Sequence, residues 1–533
     1  MLFAFAVAPA AGEDEVSTVP RQELPASGLA PAGETLELAL DEAVAIALER
    51  NLDLLIERYD RAQFRLRLGE ALGIYDLQID LAGFVSEETS PSVSELAGAD
   101  ILVTERQNLN TEISQLTPWG GVGSFRLNAF RQEDNSIFSN PNPFYQSDAD
   151  VIYNQPLLRS FGRLTTERGI RIARLNSATS REVFEQQVAQ TIQQVENAYW
   201  ALVEAREQLV VARESLDLAR ELHDMNRIRV DVGTLAPLEL VQSEAGIAIR
   251  QEEIIRSEAS VGDAEDELRR LLNLEDGPLW NAAIVPTTDP ETERVEIDLE
   301  QAIATAFRER PELAARVLQN QVLEVESRFF RNQLLPRLDL GVRYGYNAAA
   351  GDLRDNGTII DTGGLGDAFE QLLDREFEGW RIDLLFGVPL QNRTARARAA
   401  IAAMDLDQGE VELDQLHQTV RTEVRGAVRG LRRAAEQIDS ARASVNLAER
   451  NLEAERKRYE NGLSTSFQVL EIQEDLTAAR SRLVSAITAY RRALVELQRS
   501  TGQLLAANDV EMVDPLAADE IHRLGWRIGL PGE

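Results

Sequence analysis

One heptad seam of alternating large and small residues occurs twice in this chain, in the same register, and few folds accommodate that. In the first copy Val195, Leu202, Leu209 and Leu216 lie seven apart, each followed three residues later by Ala198, Ala205, Ala212 and Ala219. In the second copy Val424, Leu431, Ile438 and Val445 are followed by Ala427, Ala434, Ala441 and Ala448, an offset of 229. A seven-residue period under-winds helices to about 3.5 residues per turn, so that partners wrap left-handedly. Alanine at every second core position lets the helix axes approach closely. Both seams then run into one kind of breaker. Gly233, in Arg229-Val230-Asp231-Val232-Gly233, corresponds at the same offset to Gly462, in Arg458-Tyr459-Glu460-Asn461-Gly462. Glycine ends a helix at positive φ, and Ala236-Pro237 or Thr465-Ser466 starts the next one. Each copy reads as an antiparallel helical hairpin with a sharp tip. An unrelated coiled coil would share the heptads but not the tip.

The net charge of −34 argues against nucleic acid as a partner. The chain has no cysteine, which removes disulfides, thiolate metal sites and cysteine catalysis. Leu2-Phe3-Ala4-Phe5-Ala6-Val7-Ala8, followed by Ala8-Pro9-Ala10-Ala11 and acidic Glu13-Asp14-Glu15, resembles the back half of a secretory signal peptide without its basic start. No later run reaches the ~18 apolar residues of a membrane-spanning helix. If this chain crosses a membrane, it does so with strands.

Strands are what the intervening sequence predicts. Leu338, Leu340, Val342, Tyr344 and Tyr346 alternate with Arg337, Asp339, Gly341, Arg343 and Gly345. Trp380, Ile382, Leu384 and Phe386 alternate in the same way, as do Leu77, Ile79, Leu81 and Val85. Segments of ~10 residues with one apolar face, one charged face and aromatics near their ends suit a barrel wall between lipid and a wet lumen. The first half has extra extended material, Ile101 to Ile113 and Val122 to Arg131, joined at Pro118-Trp119-Gly120-Gly121. Sequence leaves open whether that surplus hairpin joins the wall. Ala348 to Phe377 reads as an extracellular loop.

The expected organisation is a leader (1–34), a first repeat (35–274), a linker (275–298), a second repeat (299–502) and an irregular tail (503–533). Each repeat should hold an opening helix (from Thr35 in the first), strands, a proline (Pro156 or Pro389), a long helix, the tip and a return helix. From Arg163 to Arg229 no proline interrupts the chain, enough for roughly 100 Å of helix. The fold class is α+β: duplicated long coiled-coil hairpins, with a membrane β-barrel whose strands must come from more than one protomer. One protomer has too few strands to close a pore, and lipid cannot satisfy an open sheet edge.

On the duplicated order of elements, and on Tyr153-Asn154-Gln155-Pro156-Leu157-Leu158-Arg159-Ser160-Phe161-Gly162 and Tyr459-Glu460-Asn461-Gly462-Leu463, the chain resembles the TolC-like outer-membrane efflux protein family from about 35 to 502. The resemblance implies a homotrimeric exit duct in the outer membrane of a Gram-negative-type bacterium, continued through the periplasm. It also implies a periplasmic adaptor, an energised inner-membrane pump and export of small molecules or proteins. In that family carboxylates just past the tips ring an inner aperture, and a tyrosine and an arginine hold it closed. Carried over by position, Glu239, Gln468 and Glu471 take the carboxylate sites, Tyr459 the tyrosine and Ser464 the place of the arginine; Gly233, Pro237 and Gly462 shape the tips. Gln468 and Ser464 depart from the pattern. Six carboxylates from Glu239 and Glu471 in a trimer would favour cations at a narrow neck.

No catalytic set, metal site or cofactor motif is legible. His223, which falls on the heptad seam, His417, beside Asp414, and His522 are isolated. Gly363-Gly364-Leu365-Gly366 lacks a strand-to-helix setting for phosphate. The competing readings are a soluble coiled-coil scaffold, which the alternating strands oppose, and an enzyme, for which no reactive residues converge.

Overall fold

A computed structural model describes residues 35–91, 99–274, 280, 282–290, 292–355 and 358–511. The signal-like leader, His522 and most of the expected tail lie outside the described residues. The chain opens with strand β1 (Thr35–Leu38) and helices α1 (Leu40–Arg50) and α2 (Leu52–Leu72). Strands β2 (Gln78–Pro91), β3 (Ile101–Leu116), β4 (Val122–Asp134) and β5 (Phe144–Pro156) follow. A short α3 (Arg163–Thr166) leads into α4 (Arg168–Asp231), 64 residues long, and α5 (Pro237–Leu272) returns. The second half runs β6 (Ala283–Pro286), α6 (Leu299–Glu309), α7 (Pro311–Asn332), β7 (Arg337–Gly351), β8 (Leu353–Asp355) and β9 (Thr358–Asp361). It ends with α8 (Leu365–Asp374), β10 (Phe377–Gly387), α9 (Arg393–Glu460), α10 (Ser466–Thr501) and α11 (Leu504–Ala507). Described residues divide into two compact units. A strand unit takes those of 52–193, 294–433 and 493–533; a tip unit takes those of 1–51, 194–293 and 434–492.

In the strand unit six strands form one antiparallel sheet in the order β10-β7-β5-β4-β3-β2. The surplus hairpin is therefore part of the wall, as β3 and β4. Strands run 11 to 16 residues, longer than the alternation alone predicted. The register carries one apolar row across all six: Ile79, Ile113, Phe125, Val151, Tyr344 and Trp380 lie side by side. On the opposite face the next row holds Asp80, Glu112, Arg126 and Asp150. Arg126 pairs with Glu112 at 3.0 Å, and Arg343 with Asp150 at 2.7 Å. Period-two alternation has thus put solvent-demanding groups on one face and apolar groups on the other.

The inner end of the hairpin is stitched to the corner where β5 gives way to helix. Gly162 N–H donates to the Trp119 carbonyl at 3.0 Å, and Gln155 Nε2 donates to the same oxygen at 3.0 Å. Gly120 there has φ +87°, and a Cβ on it would stand 2.8 Å from the Ser160 carbonyl oxygen. Ala348 to Phe377 is not a plain loop. It contains the end of β7, the β8–β9 ribbon and α8, whose Ala368 and Leu372 are buried. Gly363-Gly364 does sit between a strand and a helix, but the Asp367 carboxylate takes the Gly364 N–H at 2.6 Å. A carboxylate in that position leaves no room for an anion.

In the tip unit the seam is a core. Val195, Leu202, Leu216, Ala212 and Ala219 of α4 are buried, as are Ala434, Ile438 and Leu452 of α9. Thr35–Leu38 is not the start of a helix. It pairs in parallel with β6, with Leu36, Leu38 and Ile284 buried, so the expected linker holds a strand. Pairing of these two four-residue strands takes Thr35–Leu38 out of the expected opening helix, which starts instead at Leu40. Tyr199 holds this pair in place: its hydroxyl donates to the Leu38 carbonyl at 3.0 Å and accepts from Thr288 N–H at 3.0 Å. Among the described residues, no helix is long and apolar enough to cross a membrane.

Candidate functional site at the hairpin tips

The two tips close with the same backbone bonds. Gly233 N–H donates to Val230 O at 2.9 Å and Thr234 N–H to Arg229 O at 2.8 Å. In the second copy Gly462 N–H donates to Tyr459 O at 3.0 Å and Leu463 N–H to Arg458 O at 2.8 Å. These are paired Schellman bonds around a left-handed residue, φ +77° at Gly233 and +74° at Gly462. Pro237 starts α5 in the first helical turn, where its missing N–H has no partner to lose.

The duplication does not explain how one tip grips the other. Arg229, at the end of α4, reaches the end of α9. Its guanidinium donates to the carbonyls of Tyr459 at 3.0 Å and Glu460 at 2.8 Å, and lies 4.7 Å from the centroid of the Tyr459 ring. Tyr459 O, already bonded to Gly462 N–H, accepts the guanidinium as a second donor, and the partial negative charge at a helix C-terminus favours a cation there. Tyr459 is buried in a cluster with Leu222, Leu452, Val469 and Leu476, and its hydroxyl donates to Asn226 Oδ1. Burial pushes the phenol above its ordinary value, while Arg229 alongside pulls it down.

Glu239 is turned toward the other hairpin. Its carboxylate accepts from the Ser466 hydroxyl and from Ser466 N–H, at the positive end of α10. Ser464 donates to Glu455, which also receives Arg458 at 3.1 Å. Ser464 Oγ is 2.9 Å from Gln468 Oε1. Gln468 and Glu471 are exposed. The structure thus engages the expected residues in three separate sets of tip bonds, Glu239 with Ser466, Tyr459 with Asn226 and Arg229, and Ser464 with Glu455 and Gln468, and none of these bonds involves Glu471. Position-by-position reading missed Arg229, Asn226, Glu455 and Ser466. The signal for Arg229 was in the repeat itself, because it is the first-copy counterpart of Arg458.

The two histidines among the described residues have structural partners. His223 Nδ1 lies 2.9 Å from Ser243 Oγ across the first hairpin, and His417 packs edge-on against Phe307, 5.2 Å between ring centroids. Among the described residues no group of three or more His, Cys, Asp or Glu could hold a metal ion.

A sheet of long strands apolar on one face and charged on the other, together with duplicated helical hairpins closed at their tips, describes an outer-membrane channel protein. Residues 148–274 and 302–503 match the outer membrane efflux protein family, and the chain belongs to that family. Over 403 residues, 72% of this chain and 67% of the relative, it is 23% identical to the pyoverdine export outer membrane protein OpmQ of Pseudomonas putida. Its fold is similar to the CmeC outer membrane channel of Campylobacter jejuni, with a TM-score of 0.60 and 17% identity over 87% of this chain and 86% of that one. It is likewise similar to the outer membrane protein VceC of Vibrio cholerae, with a TM-score of 0.61 and 15% identity over 87% and 96%. The protein is an outer-membrane exit duct with a helical periplasmic extension, not a soluble scaffold, and its family and fold are those of channels rather than enzymes.

Proposed function

We propose that three copies of this chain form a passive export duct whose inner end is the ring of hairpin tips. A periplasmic adaptor and an energised inner-membrane pump would supply cargo and driving force. The observation that carries the trimer is the sheet of six strands with a free edge at β2 and another at β10, which a single copy cannot keep in lipid. Within the trimer, Glu239, Gln468 and Glu471 line or flank the inner aperture, and Tyr459 and Ser464 belong to its closed state. Pyoverdine, the cargo in that relative's name, favours a small-molecule substrate here over a secreted protein. In this reading the chain divides into repeats at 35–274 and 299–502, a linker at 275–298 and a tail at 503–533.

Fractionation followed by mild detergent extraction tests this reading. The chain should sediment with the outer membrane and run as a trimer on native gels, and its deletion should trap small-molecule cargo in the cell. A monomer in the soluble periplasm would end the proposal.

A further inference from the structure

The free edges of the sheet carry a second conclusion, which rests on the trimer proposed above. We infer that the surplus hairpin is a permanent part of the wall and that β2 of one copy pairs with β10 of the next, closing a barrel of eighteen strands, six from each of three copies. Three features of the sheet support it.

The first is integration of the hairpin. β3 is paired on both sides along its length, with β2 from Gln78 to Pro91 and with β4 from Val122 to Asp134. At its inner turn the Trp119 carbonyl receives both Gly162 and Gln155, as described above. Folding the hairpin out of the wall would break the β2–β3 and β4–β5 ladders.

The second is strand direction. β2 leaves the helical end of the sheet at Gln78, and β10 returns to it at Gly387 before α9. Neighbouring copies would therefore meet with antiparallel edges, and an even number of strands per copy preserves the alternation around the ring. The third is the match of faces. Ile79, Leu81 and Val85 on β2 and Trp380, Ile382 and Leu384 on β10 are all more than half exposed, on the same apolar face of the sheet. Joining the edges continues that face around the barrel and leaves no unpaired backbone in lipid. Barrel diameter grows nearly linearly with strand number, so eighteen strands give a bore about one and a half times that of twelve.

The absence of cysteine makes the test direct. Cysteine pairs are introduced on the apolar face, at alternate positions from 79 to 89 on β2 and from 378 to 386 on β10, and oxidised in outer-membrane fractions. Within one copy the two strands are five spacings apart, roughly 24 Å, too far for a disulfide. One register of the scan should give a denaturant-resistant ladder ending at three chains. The comparison pair is Leu81→Cys with Ala149→Cys, which β3 and β4 hold apart and which should stay unlinked. A Leu81–Ala149 crosslink within single chains of an intact trimer would mean that β2 pairs with β5, and eighteen strands would be wrong while the duct reading stood. An intact trimer with no β2–β10 ladder at any register would equally overturn it. A protein that never trimerises would instead bring down the duct reading itself.

Discussion

Glu239 of the first hairpin accepts hydrogen bonds from both the hydroxyl and the backbone N–H of Ser466, the residue that starts the return helix of the second. A carboxylate at a helix N-terminus satisfies orphan donors and complements the dipole. Read from sequence, Glu239 was one of two acids facing an aperture; in the folded tip it also joins the two halves.

Neutralising Glu239 should therefore loosen the tip. Glu239→Gln is expected to lower the protection of tip amides in hydrogen exchange by about 1 kcal/mol. Ser466→Ala should do the same, and the double variant should lose less than the sum because both remove one interaction. Glu471→Gln makes the contrast, with lower cation selectivity in bilayer recordings but unchanged tip protection. If Glu239→Gln left exchange unaltered, the clamp would have no energetic role.

Arg229 and Tyr459 should govern opening, with a pH dependence of defined sign. Arg229→Ala removes two carbonyl caps and a ring contact, and should raise spontaneous openings in single-channel records; Arg229→Lys should restore only part. The Tyr459 phenol titrates above its ordinary 10.0 in the folded tip. Between those two pKa values the folded state holds a proton that the unfolded state has released, so tip stability falls as pH rises through that window and is intact below it. Tyr459→Phe should flatten this alkaline loss, measured by tip-amide exchange or by a fluorescent label at the tip. An equal alkaline loss in both proteins would assign it to another group.

The tip glycines should be intolerant for a backbone reason alone. Both have positive φ, and a Cβ on either would meet nothing within 4 Å. Gly233→Val or Gly462→Val should destabilise the tip by at least about 1–2 kcal/mol and impair assembly or export, while asparagine, which tolerates the left-handed region, should be milder. Normal export by both valine variants at normal protein level would refute the argument.

The two seam alanines singled out by the repeat should not behave alike. Ala434 is buried, whereas Ala205 is half-buried on a groove it shares with Ala201, Ile249 and Arg250. Ala434→Leu should lower thermal stability by about 1–3 kcal/mol through overpacking; Ala205→Leu has room within one protomer and should lower it less. Calorimetry on both variants decides the ordering, and reversal would place the tight contact on the first copy.

Periodicity, a local property, was enough to establish a good deal of this protein from the sequence. A seven-residue repeat with alanine at alternate core positions has one low-energy use, and its recurrence at a fixed offset ending in Gly233 and Gly462 established two hairpins. Strict alternation at Leu338–Tyr346 and Trp380–Phe386 likewise defined strands with one apolar face. What the sequence could not decide was pairing between segments far apart in the chain. Thr35–Leu38 is a strand because Ala283–Pro286 lies beside it, a partner that no local window contains. The surplus hairpin is wall because β3 lines up with β2 and β4 over full-length ladders. Glu239 is a clamp because folding brings Ser466 to it from 227 residues away. Hydrogen-bond partners across such distances are chosen by the tertiary fold, since many segments have compatible donors and acceptors and only packing selects among them.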